Sequence, residues 1–164
     1  MTTPPPLIFF EGDWEAYRDR VFDAFLETLV RRRVSFCGLA VTAPRRPEEL
    51  GMHASFWHVI SQAPDPRNKN EAERIPDFRR CERIRWIAWA IEGADRGEPG
   101  IHWWENERKG DLRVVIWAEN DDFAVVLAKR RDYFVLKTAY APIKPHQRTN
   151  FERERHAFKA SQKG

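Results

Sequence analysis

The sequence predicts an α+β domain, with N-terminal helices packed on a four-stranded antiparallel β-meander and a short, charged C-terminal helix. Three observations lead to that expectation. Two stretches in the first 92 residues repeat their apolar positions every three to four residues, as one face of a helix does. From residue 101 onward, four short runs rich in β-branched and aromatic residues replace that period. The links between those runs are brief and turn-rich, too short for the dozen-residue crossover that parallel strands require.

The first helix is expected over 13–30, with Trp14, Tyr17, Val21, Phe22, Phe25, Leu26, Leu29 and Val30 on its buried stripe. Asp13 and Glu15 at its start and Arg31, Arg32 and Arg33 at its end complement the helix dipole. The apolar run 34–41 reads as a strand, and Pro44 and Pro47 interrupt the chain after it. The segment HASFWHVIS at 53–61 is apolar without a diagnostic period, and a polar loop over 62–76 follows. Asp77 is suited to N-cap a second helix that Gly93 would end, with Phe78, Cys81, Ile84, Ile87, Ala88 and Ile91 facing inward. The strands are expected at 101–108, 112–118, 123–128 and 133–140, and the charged helix at 148–159. Trp103 and Trp104 are neighbours on a strand, so period-two alternation turns one of them away from the core.

A chain of 164 residues, 42% of them hydrophobic, supplies one core, so one domain is expected over 9–158, with flexible ends at 1–8 and 159–164. No apolar run approaches the roughly 20 residues of a membrane span, and the start of the chain lacks the pattern of a secretory leader. Cys37 and Cys81 are too few and too far apart for a disulfide framework or a metal clip, which points to a reducing, cytoplasmic setting. The charge is uneven. Residues 129–164 hold ten Lys/Arg against three Asp/Glu, a net +7, whereas 94–128 hold four against eight, a net −4. A concentrated positive field draws polyanions, nucleic acid among them; its ordinary alternative is a solvated basic face.

No GxGxxG, P-loop, HExxH, GxSxG or CxxC signature is present, which disfavours nucleotide-cofactor enzymes, zinc proteases and serine hydrolases. The expectation is an absence of cofactor and of metal. Arg80 and Arg83, three residues apart in RRCERIR, are candidates for binding phosphate through their rigid, planar guanidinium groups; ordinary salt bridging is the competing use. His58, among apolar neighbours in FWHVIS, is the best candidate for proton transfer, against the plainer role of a satisfied core histidine. On the last strand, strict alternation places Phe134, Leu136, Thr138 and Tyr140 on one face. The Thr138 and Tyr140 hydroxyls would then reach the sheet margin, where they could touch a phosphate or simply cover the core edge.

FWHVIS at 56–61, RIPDFRRCERIRWI at 74–87, DDFAVVLAKR at 121–130 and YFVLKTAY at 133–140 resemble a group of small proteins encoded by phages and mobile elements. That group is similar to the barnase–EndoU–colicin–RelE class of metal-independent ribonucleases, and the resemblance runs over about 9–158. It implies a toxin-like endoribonuclease that cleaves RNA by attack of the ribose 2′-OH on the neighbouring phosphate. By the same resemblance His58 would act as acid or base, Arg80 and Arg83 would hold the phosphate, and Thr138 and Tyr140 would line the site. An antitoxin or immunity protein would be a natural partner. Two positions depart from the group's pattern: Ile87 where proline is expected, and Lys137 where an apolar residue is common. The competing expectation is a non-catalytic nucleic-acid-binding accessory protein on the same fold.

Overall fold

The computed structural model describes residues 3–63, 67 and 74–163. Helix α1 (Trp14–Phe25) starts where the Asp13 carboxylate accepts hydrogen bonds from the Glu15 and Ala16 amides. It runs into a π-helical turn at Leu26–Val30. The expected first strand is a tight hairpin, β1 (Ser35–Phe36) and β2 (Leu39–Thr42), because Cys37 and Gly38 both take positive φ and turn the chain back. The ambiguous 53–61 segment forms helix α2 (Ala54–Ile60). It is followed by a two-residue ladder between β3 (Ser61–Gln62) and β4 (Ile75–Pro76). The polar loop expected over 62–76 lies mostly outside the described residues.

Asp77 caps as expected, accepting from the Arg79 amide at 2.8 Å, but the helix it starts is two helices. Helix α3 (Phe78–Glu82) gives way at Arg83 to turns bonded three residues back, and α4 (Trp86–Arg96) follows. Gly93 does not stop α4; the stop is Gly97, left-handed at φ 75°. Gly93 serves packing instead: a Cβ there would meet Ile101 Cδ1 at 2.5 Å, so a larger residue would force the end of the Ile101 side chain to move.

Strands β5 (Ile101–Arg108), β6 (Asp111–Ala118), β7 (Phe123–Lys129) and β8 (Tyr133–Tyr140) pair in sequence and antiparallel. The expected four-stranded antiparallel meander is nevertheless incomplete. The sheet has six strands in the order β1-β2-β8-β7-β6-β5, and β2 joins β8 in parallel, which makes it mixed. Parallel pairing is possible because α2, α3, α4 and the strands β5–β7 separate β2 from β8 in the chain, supplying the long connection that short links deny.

The main core lies between α1–α4 and one sheet face, around Tyr17, Phe25, Phe56, Ile84, Ile91, Ile116 and Leu127. A second core covers the other face, where Trp104, Val115, Trp117 and Val126 meet Ile143 and Phe151. The helix closing it, α5 (Pro145–Gln162), has 18 residues and is not the short element expected at 148–159. Pro145 opens it, and the Gln147 side chain accepts from the Lys144 amide at 3.0 Å. The Phe151 ring sits 5.3 Å from that of Trp104 and 5.6 Å from that of Trp117. Trp104 is therefore fully buried, while its neighbour Trp103 packs on Phe36 and Phe158.

Glu154 of α5 accepts hydrogen bonds from Trp104 Nε1 and Asn106 Nδ2, both at 3.0 Å. Glu154→Ala should destabilise the fold by about 1–3 kcal/mol, because it strands two shielded donors beneath the helix. A fall in the urea midpoint with an unchanged slope is the expected result. The charge asymmetry also closes on itself in part. Arg148 reaches Asp122 at 3.3 Å and Glu119 at 3.8 Å, Arg130 reaches Asp111 at 2.9 Å, and Lys129 reaches Glu105 at 3.8 Å. Lys144, Arg155, Lys159 and Lys163 have no ion-pair partner among the described residues.

No helix among the described residues is long and apolar enough to cross a membrane.

Candidate functional site

Strand β2 pairs with β8 only at residues 133–135, so the same edge of β8 continues past the end of β2. Pro44 and Pro47 then turn the chain away from the sheet, and α2 lies alongside the uncovered edge. A cavity of about 700 Å³ opens between them. Its described lining includes Glu49, Trp57, His58, Ser61, Arg74 and Lys137.

Ser61 is the pivot behind this cavity. Its carbonyl oxygen accepts from Arg74 Nη2 at 2.5 Å and from Arg80 Nη1 at 2.7 Å, so two guanidinium groups converge on one acceptor. Arg74 Nε also donates to the Ser61 hydroxyl at 3.1 Å, and Arg74 Nη2 to the His58 carbonyl at 2.9 Å. These bonds tie the start of β4 to the last turn of α2, which carries His58. Arg80 lies over the Tyr140 ring, 5.5 Å from its centroid, and its Nε has no hydrogen-bond partner among the described residues. Burial pulls the Arg80 guanidinium below its ordinary value; the Arg74 charge acts in the same direction and the Asp77 carboxylate opposes both. An arginine keeps its charge through such a shift.

A bulge decides where the β8 side chains go. Leu127 is opposite Leu136 and Val126 is opposite Thr138, so Lys137 is the extra residue. The strict alternation expected for this strand therefore fails. Phe134, Leu136 and Ala139 enter the main core, whereas Tyr140 turns to the α5 side. Thr138, opposite Val126 of that second core, shares the Tyr140 face and does not line the cavity. Lys137, freed from the ladder, lines it instead.

Of the residues singled out from the sequence, contacts thus connect three: His58 in the cavity wall, Arg80 through Ser61, and Tyr140 through Arg80. Arg83 is engaged elsewhere. It donates to the Arg79 carbonyl at 3.0 Å, pairs with Glu82 at 3.3 Å and stacks over Trp86 at 5.0 Å. That side of α3 and α4 is covered by the N-terminal segment, where Pro5 accepts from Trp86 Nε1 and Ile8 donates to the Glu82 carbonyl. Arg74, Ser61 and Glu49 carry no expectation from the sequence, and Lys137 stands out there only as a departure from the group's pattern. Arg74 begins the RIPDFRRCERIRWI stretch, and its position before Pro76 and the Asp77 cap was the available signal. The sequence marks Lys137 as a lysine where an apolar residue is common, but its place in the cavity is set by the bulge, which depends on pairing with β7.

An imidazole, a carboxylate and several cations around an open cavity can move protons at a substrate whose negative charge they hold. Among the described residues, no group of three or more His, Cys, Asp or Glu is placed to hold a metal ion. Cys81 is buried, and burial pushes its thiol up to about 12, so it stays a neutral core group. Comparison with protein-family models, with curated proteins and with solved structures finds no match to this chain.

Proposed function

We propose that the protein is a metal-independent endoribonuclease whose reaction takes place in the cavity beside β8. The observation that supports this reading most directly is that His58, Glu49, Arg74 and Lys137 line one open cavity. In the proposed reaction the ribose O2′ bonds to the adjacent phosphorus and the P–O5′ bond breaks. One group takes the proton from O2′ and another delivers a proton to O5′. Glu49 is suited to the first role and His58 to the second. Lys137 and Arg74 are assigned to the phosphate oxygens, where fixed cations offset charge that grows in the transition state. Arg80, held behind them by Ser61 and Tyr140, adds positive potential and positions the wall. Arg83 and Thr138 have no role in this cavity. The toxin-like character, and an antitoxin or immunity protein as partner, rest on the resemblance alone.

Purified protein incubated with total RNA in EDTA should yield fragments ending in 2′,3′-cyclic phosphate, detected by their resistance to 3′-end ligation until the terminal phosphate is removed to leave a free 3′-OH. The second reading, a non-catalytic nucleic-acid-binding protein, draws on the exposed cations of α5. It would give RNA binding that weakens steeply with salt and no fragments at all.

A further inference from the structure

We propose that the seam between α4 and the π-helical turn that follows α1 holds a second site, one for a phosphate-type anion, with Arg85 and Trp89 as its donors. A cavity of about 230 Å³ opens there, and Arg32, Arg85, Trp89, Glu92 and Arg96 line it with Pro5 of the N-terminal segment. It shares no lining residue with the cavity beside β8. Three arginines and one glutamate leave it locally positive. Glu92 is paired with Arg32, and Arg96 is paired with Glu98 at 3.5 Å.

Arg85 differs from its neighbours. It is half-buried, yet it has no hydrogen bond and no ion pair among the described residues. One helical turn later, Trp89 Nε1 is shielded from solvent and also lacks a partner among the described residues. Arg85 is the residue just before α4 and Trp89 lies four positions on, in its first turn, and both line the same cavity. A shielded donor without an acceptor is costly to a fold, and here two donors, one of them charged, face one space. The indole can only donate and the guanidinium can only donate, so the complement is an acceptor-only group. The charge selects an anion over a neutral acceptor, and the planar fork of Arg85 suits two oxygens of a tetrahedral one. The volume is several times the roughly 30 Å³ that a water molecule occupies in the liquid, which accommodates such an anion.

The test is an NMR titration of ¹⁵N-labelled full-length protein with inorganic phosphate at constant ionic strength, followed by a second titration with a 5′-mononucleotide. The Trp89 indole resonance, assigned from a Trp89→Phe spectrum, is the reporter, and the other six of the seven tryptophans are internal controls. The expected result is a saturable shift confined to Trp89. Arg85→Gln should weaken binding by about tenfold or more, the loss expected when a charge-assisted bidentate contact is removed. If Arg85→Gln does not fold, Arg96→Gln should weaken binding in the same direction by reducing the local positive charge. Tighter binding of the mononucleotide would assign the site to a nucleotide phosphate; equal binding would assign it to the free anion. A Trp89 resonance that does not move, moves without saturating, or moves equally in Arg85→Gln would overturn the proposal. None of these outcomes depends on RNA cleavage.

Discussion

His58→Ala should lower RNA cleavage in EDTA by about 10²- to 10⁴-fold, the usual contribution of a positioned proton-transfer group. The fold should survive the change. His58 is half-exposed on the last turn of α2, and its backbone carbonyl, which accepts from Arg74 and from the Ser61 amide, is retained in alanine. A thermal melt within a few degrees of the wild type, measured beside the cleavage rate, would separate lost chemistry from lost structure. Undiminished cleavage in the folded variant would remove His58 from the reaction and with it the proposed cavity. Loss of cleavage with RNA binding retained would place its effect on the chemical step and not on affinity.

Phe56→Ala should cost about 3–5 kcal/mol of stability, the largest effect expected from a single truncation in the main core. The ring is fully buried and lies 4.9 Å from Phe22 and 5.4 Å from Phe25, so with His53 it seats α2 on α1. Neither neighbour can collapse far into the space left behind, because both are held on α1. The urea midpoint should fall in proportion, while Phe56→Leu should recover much of the loss by refilling the volume. Because His58 follows two residues later on the same short helix, the cavity wall depends on this packing. Cleavage by Phe56→Ala should therefore fail at lower temperature than that of the wild type. A cost below about 1 kcal/mol would mean that α2 is anchored by something other than the phenylalanine cluster.

Much of the architecture is local information. The Asp13 and Asp77 caps act within two or three residues, so composition and spacing expose them directly. The four strands of the meander are equally legible, since their links are too short to permit any other pairing. β7 held a further signal: Phe123, Ala124, Val125, Val126, Leu127 and Ala128 are all buried, and an uninterrupted apolar run indicates a strand covered on both faces. That run called for a layer such as α5, which propensity alone marks as marginal. The helix is secured instead by Phe151 and Glu154 against two tryptophans far away in the chain.

By itself, the sequence determined the α+β class, both acid-capped helices, the order of the antiparallel strands and the presence of His58 on an apolar segment. The tertiary structure decided which residues meet. The parallel β2–β8 pairing exposes the β8 edge where the cavity forms, and the bulge at Lys137 reverses the faces assigned to Thr138 and Tyr140. The Ser61 carbonyl draws Arg74 and Arg80 together while Arg83, one turn from Arg80, is drawn to Trp86 and Glu82. The physical reason is one of range. Periodicity, caps and turn composition act between near neighbours in the chain, whereas a bulge, a strand edge or a shared carbonyl exists only once distant segments have been brought into register.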